Sequence, residues 1–438
     1  MASRSTAKGI VPVLRADDAG FEAAFEKLVR RRDDGAADVD KVVRRILDRV
    51  REGGDEELFA CIRKYDGVSL TRVEVQPEEF EEAGERIDPA DRAALGKAAM
   101  RVREFHRKRI PSSWEVREEG GGIFGHRVRP LQRAGIYVPG GKAVYPSTVI
   151  MNAIPASVVE VPEIIMATPA GPDGRVRPEV LIAAKVAGVH RVFKMGGAHA
   201  IAALAYGTDS VPRVDKIVGP GNVYVATAKR MVFGEVDIDG EAGPTEVMVI
   251  ADRTATPAWV ASDLISQAEH DELAQSILVT PVKNLVARVQ DQIARQLKTL
   301  DRAKIARRSL STRGALVVAR DIDHCLELAN RYAPEHLQVA VDERDVDRVV
   351  DTLRNAGEIL IGQHTPFSAA NFVIGCPASL PTSGFAHVSS GITANAFLKR
   401  TAIARADAGA LARMAPSIIA LADHEGFPAH AAALRRRG

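Results

Sequence analysis

Residues 191–222 read RVFKMGGAHAIAALAYGTDSVPRVDKIVGPGN. An apolar run ends in the turn Gly196-Gly197, an alanine-rich helical stretch follows, and a second apolar run ends in Gly219-Pro220-Gly221-Asn222. Strand, glycine turn, helix and strand in that order make the βαβ unit of a parallel sheet. The same alternation extends to both sides. Strands are predicted at 135–138, 163–167, 191–195, 215–218, 246–251, 276–280, 315–319 and 358–361. Helices are predicted between them at 149–159, 178–187, 198–206, 223–232, 257–270 and 284–296. About eight strands exceed one ordinary sheet. The expected fold class is therefore α/β, with two doubly wound Rossmann-like parallel-sheet domains.

The expected division is 1–133, a helical N-terminal region packing on the second α/β domain; 134–242, the first α/β domain; 243–390, the second; and 391–438, a helical arm without strands. The Asp239–Pro244 stretch, Asp-Gly-Glu-Ala-Gly-Pro, is the natural break between the two sheets.

The 438 residues are 46% apolar and 26% charged with a net charge of +2, the balance of a globular chain rather than a disordered one. No basic face points to nucleic acid. No apolar run approaches the ~20 residues of a membrane span, and residues 1–10 lack the apolar core of a secretory signal. Three widely spaced cysteines, Cys61, Cys325 and Cys376, fit a reducing compartment. The chain is expected to be cytoplasmic.

Three glycine turns, at Gly140-Gly141, Gly196-Gly197 and Gly219-Pro220-Gly221-Asn222, suit a phosphate-bearing ligand at the carboxyl edge of a sheet, or simply tight connections. None is a G-x-G-x-x-G. Gln267 and His270, three apart on a helix, share a face and could bind a metal or merely line a surface. Glu335 and His336 follow a helix-ending Pro334 in a predicted loop, where they form either a general-base pair or a polar turn. Glu425 and His430 flank a Gly/Pro turn near the C-terminus.

Taken together these segments resemble the histidinol dehydrogenase family. The resemblance rests on Ala134-Gly135-Ile136-Tyr137-Val138-Pro139-Gly140-Gly141, Gly196-Gly197-Ala198, Gly219-Pro220-Gly221-Asn222, Ala242-Gly243-Pro244, Ser266-Gln267-Ala268-Glu269-His270, Pro334-Glu335-His336-Leu337 and Leu380-Pro381-Thr382. They run in the family's order along nearly the whole chain. The resemblance implies a homodimer with shared active sites that uses Zn2+ and NAD to oxidise a small-molecule alcohol to an acid in two hydride transfers. It implies Gln267, His270 and Asn371 as metal ligands, with His430 reaching in from the second subunit. It implies His336 as the base for the alcohol and Glu335 as the activator of water. Tyr137, His199 and Asn222 would line the NAD site; Thr245, Ala378 and Glu425 would line the substrate site.

The sequence departs from the family pattern at several positions. Asn371 stands for the family's zinc-binding Asp, Phe367 for a Glu, Ala378 for a substrate-contacting His, Thr245 for a Ser and His199 for a Gln. Neutral metal ligands leave the ion's double charge uncompensated, which favours an anionic substrate. The expected substrate is therefore a sulfonated diol such as 2,3-dihydroxypropane-1-sulfonate, as in the family's sulfopropanediol 3-dehydrogenase branch. L-Histidinol is the alternative, and a non-catalytic binding protein on the same fold is the reading of another class.

Overall fold

The apolar runs between the glycine turns form strands in the computed structural model, which describes residues 9–437 except 31–35, 109, 119, 141–143, 241–242 and 378. In chain order they are β1 (Val13–Arg15), β2 (Trp114–Arg117), β3 (Ile123–Pro130), β4 (Arg133–Tyr137), β5 (Glu163–Thr168), β6 (Arg191–Lys194) and β7 (Lys216–Val218). There follow β8 (Asp237–Ile238), β9 (Glu246–Ala251), β10 (Gln275–Thr280), β11 (Ala315–Val318), β12 (His336–Ala340), β13 (Glu358–Ile361) and β14 (Leu398–Arg405).

They assemble into two parallel sheets, ordered β6-β5-β4-β7-β8 and β1-β11-β10-β9-β12-β13, and one antiparallel sheet, β14-β3-β2. In the first sheet the strand order reverses between β4 and β7, and in the second between β9 and β12. Both central strand sets are buried on both faces by helices, as their unbroken Val/Ile/Leu runs require. The α/β class with two doubly wound sheets is what the sequence implies.

Two expectations are corrected. The N-terminal helices do not pack on the second α/β unit. Val43, Ile46, Val50 and Leu58 join Ile201 and Leu204 in one core of the first sheet, and Leu95, Ala99 and Val102 join Ile150 and Ile154 in the other. Only the stretch around Val11–Phe25 goes to the second sheet, where β1 pairs with β11 and Phe21 and Phe25 pack under Val317. The C-terminal arm is also not purely helical: β14 pairs with β3 along eight residues, Leu398↔Pro130 to Arg405↔Ile123. After it, the helices Ala408–His424 and Pro428–Arg435 pack on each other and leave Met414, Leu421 and Phe427 exposed. No described helix is long and apolar enough to cross a membrane.

Candidate active site

The amino ends of four neighbouring strands in the second sheet are polar: Glu246, Gln275, His336 and Glu358 open β9, β10, β12 and β13. Such residues are costly to bury unless hydrogen-bonded, and each has partners. Glu335 Oε2 accepts from the Thr245 hydroxyl (2.6 Å) and from the Glu246 N–H (2.8 Å). Glu335 Oε1 lies 3.7 Å from His336 Nε2, and the other ring nitrogen, Nδ1, is 2.5 Å from Glu358 Oε1. Glu246 Oε1 accepts from the Ser383 N–H (2.7 Å), and Thr382 Oγ1 accepts from the Gly243 N–H (2.5 Å), so residues 380–383 dock over the start of β9. Phe367, buried, stands edge-on to His336 at 4.5 Å and to His270 at 6.0 Å.

Burial pushes the Glu335 carboxyl well above the usual carboxylate range, against the pull of His336 and its two donors. Burial opposes charge on His336, yet Glu335, Glu358 and Glu246 outweigh it and hold its pKa above the ordinary imidazole value. Desolvation, with help from His336 and Arg302, holds His270 below that value, although its side chain remains accessible at the rim. Asp263, on the helix that carries Gln267, is bonded to Gln338 and the Phe367 N–H, and burial pushes it up to about 6. A buried carboxylate–imidazole pair whose proton affinities are both raised is equipped to take protons from a bound hydroxyl or water.

Gln267 ends the helix Pro257–Ala268. Its Nε2 donates to Thr245 Oγ1 (2.7 Å), which fixes the amide and turns Oε1 inward, buried and without a hydrogen-bond partner. An orphaned buried oxygen beside an accessible imidazole, His270, fits a metal ligand set of nitrogen and oxygen donors. Asn371 lies on the short helix Phe367–Phe372, which packs against the Gln267 helix. Among the described residues no three His, Cys, Asp or Glu side chains converge as a cage; Gln267 and Asn371 are amides.

At the first sheet, Tyr137 ends β4 and Gly219 follows β7, the two strands at the point of reversal where ligands enter such sheets. Gly219 has φ +121°, and a Cβ there would lie 2.0 Å from the Tyr137 carbonyl oxygen. Gly219→Ala is therefore expected to lose about 1–3 kcal/mol from backbone strain alone, read as a lower denaturation midpoint; an unchanged midpoint would contradict this turn geometry. Lys229, fully buried, donates to the Gly219 carbonyl (2.9 Å) and pairs with Asp239, which accepts from the Gly219 N–H (2.7 Å). Asn222 caps the next helix through the Tyr224 and Val225 N–H groups. The Tyr137 hydroxyl accepts from the Gly197 N–H (3.0 Å) and its pKa is pushed up by burial to about 12. His199 Nε2 is 3.1 Å from Asp66, which also accepts from the Gly196 N–H.

The structure thus brings together Thr245, Gln267, His270, Glu335 and His336 at one sheet edge, and Tyr137, His199 and Asn222 around the glycine turns of the other. Glu335 and His336 are not in a free loop, because His336 begins a central strand. Glu425 and His430 lie exposed on the C-terminal helices, outside that cluster, and Ala378 falls outside the described residues. Sequence reasoning missed Glu358, Glu246, Asp66 and Lys229. Glu358, Glu246 and Asp66 are brought to their partners by strand register or by contacts far along the chain, and Lys229 by the turn that folds its helix back over Gly219, so no local motif marks them.

The Histidinol dehydrogenase family model matches residues 29–438. The chain is 48% identical over 420 residues to "Histidinol dehydrogenase" of Syntrophotalea carbinolica, covering 95% of this chain and 97% of that one. It is 46% identical over 426 residues to the protein of the same name from Aquifex aeolicus, covering 97% and 98%. The crystal structure of histidinol dehydrogenase from Elizabethkingia anophelis superposes with TM-score 0.93 at 31% identity, covering 99% of both chains. These matches overturn the expected sulfonated diol and favour histidinol. The physical reason is on the sheet edge: the carboxylates absent at Phe367 and Asn371 are not the only ones there, because Glu246 and the Glu358 side chain are buried around His336. The chain belongs to the histidinol dehydrogenase family, NAD-dependent zinc oxidoreductases that act on a CH–OH group.

Proposed function

We propose that this chain is an L-histidinol dehydrogenase of histidine biosynthesis, a cytoplasmic homodimer that oxidises the primary alcohol through an aldehyde to the carboxylate. The observation that carries the reading is the buried Glu335–His336 pair held beside the unpaired Gln267 oxygen. When bound, zinc polarises the alcohol oxygen and NAD receives hydride.

Gln267, His270 and Asn371, with His430 of a second copy, would hold the metal. His336 holds a proton at Nε2, taking it from the substrate hydroxyl. Glu335 Oε2 is already engaged by Thr245 and Glu246, so Oε1 is the oxygen left to take a proton from water before the second oxidation. The 3.7 Å between Oε1 and Nε2 is too long for a hydrogen bond, and a hydroxyl seated to one side of the pair can reach both atoms. Glu246 and Glu358 add negative charge that favours the ammonium of histidinol, and Thr245 and Glu425 complete the substrate side. Tyr137, His199 and Asn222 shape the NAD side through the turns they brace. In this reading 134–242 is the NAD unit, 243–390 the catalytic unit, and 391–438 the arm exchanged in the dimer.

The direct test is NADH formation from NAD and L-histidinol, with and without zinc chelation. Strong, chelator-sensitive turnover is expected; an inert enzyme would refute the reading. The arm exchange has its own test. His336→Gln and His430→Ala proteins, each inactive, are expected to regain about a quarter of wild-type activity when subunits exchange, because half the dimers then carry one intact site. No recovery in verified heterodimers would refute the shared site.

A further inference from the structure

We propose that Glu358 is a positioning residue for His336, holding the imidazole in the tautomer that leaves Nε2 as the basic nitrogen. The inference rests on the reading of His336 as the base and adds a residue to it. His336 and Glu358 open adjacent parallel strands and are aligned in the β12–β13 register, so the backbone itself brings the two side chains together.

The contact is short, Nδ1 to Oε1 2.5 Å, and both side chains are almost fully buried, at 2% and 7% exposure. An ionised carboxylate can only accept, so Nδ1 must carry the hydrogen. In the neutral ring the lone pair then sits on Nε2, on the side of Glu335. The Phe367 ring, edge-on at 4.5 Å, restricts rotation of the imidazole and packs against a ring already tied at Nδ1. The other titratable groups that act on the ring are Glu335, Glu246 and His270; Glu335 faces Nε2, and Glu358 is the group bonded to Nδ1. The second Glu358 oxygen, Oε2, is buried without a hydrogen-bond partner. Burying an incompletely satisfied carboxylate is costly, a cost that a mere tie between two strands would not require, since the backbone ladder already joins them.

The test is long-range ¹⁵N–¹H NMR of the zinc-loaded wild-type enzyme labelled at histidine nitrogens, with the His336 signals assigned by their loss in His336→Gln. The expected result is the Nδ1–H tautomer for neutral His336; the Nε2–H tautomer would overturn the inference. Glu358→Gln is expected to lower kcat by about 100-fold, within the range general-base catalysis supplies, with KM little changed, and to populate both tautomers. A strand tie without this role predicts lower thermal stability but an unaltered tautomer and kcat, and that outcome overturns the proposal. Should Glu358→Gln not fold, the wild-type tautomer decides, and Glu358→Asp, with its carboxylate one methylene short, is expected to keep the Nδ1–H tautomer with intermediate kcat. A wild-type enzyme inert toward L-histidinol would refute the substrate reading and leave the tautomer measurement standing.

Discussion

His336→Gln is expected to lower kcat for NADH formation by about 10²–10⁴-fold, the range a positioned general base contributes. Glutamine fills much of the ring's volume and can still donate to Glu358, so the fold should survive and the loss should fall on chemistry. The pH dependence supplies a second readout. Proton uptake requires neutral His336, so the wild-type rate should rise with pH through the imidazole's pKa. Because Glu335, Glu358 and Glu246 hold that pKa up, the limb should lie above the ordinary value of about 6.5. Glu335 is coupled to the ring, so the limb belongs to the pair. In His336→Gln it should flatten. A variant retaining wild-type kcat would remove His336 from the mechanism.

The second large effect is expected at Gln267. Gln267→Leu keeps the volume and removes a buried amide oxygen that has no hydrogen-bond partner. Loss of that donor should lower zinc retained after gel filtration to well under one ion per chain and reduce kcat by at least about 100-fold, comparable to the larger losses when a metal site's supporting groups are removed. Gln267→Glu separates donor from charge. It keeps an oxygen for the metal, but the carboxylate would have to share the single Thr245 hydroxyl hydrogen with Glu335. Zinc content near wild type with lowered activity is expected there. Full zinc retention in Gln267→Leu would show that Gln267 is not a ligand.

The doubly wound sheets were legible because buried parallel strands need unbroken β-branched runs and their connections need glycine turns, and both are present from 133 to 361. What escaped follows from the same physics. Strand β12 begins His336-Leu337-Gln338, two polar residues in its first three, so no apolar run announced it, yet both are buried and hydrogen-bonded or packed in the central sheet. Strand β1 is three residues long, too short for any period. Strand β14 reads Leu-Lys-Arg-Thr-Ala-Ile-Ala-Arg, exposed along most of its length, and acquires its form from β3, some 270 residues earlier in the chain. The site was legible by halves. Gln267, His270, Glu335 and His336 stand in local pairs whose chemistry can be read from spacing. Glu358 becomes visible only when register sets it against His336, and Glu425 and His430 carry meaning only if a second copy receives the arm.

The central claim, that one site oxidises L-histidinol twice, is tested most directly by counting NADH formed per molecule of L-histidinol consumed to completion at saturating NAD. Two NADH, with histidine as the product, is the expected result. No NADH, or a single NADH with free aldehyde released, would contradict it.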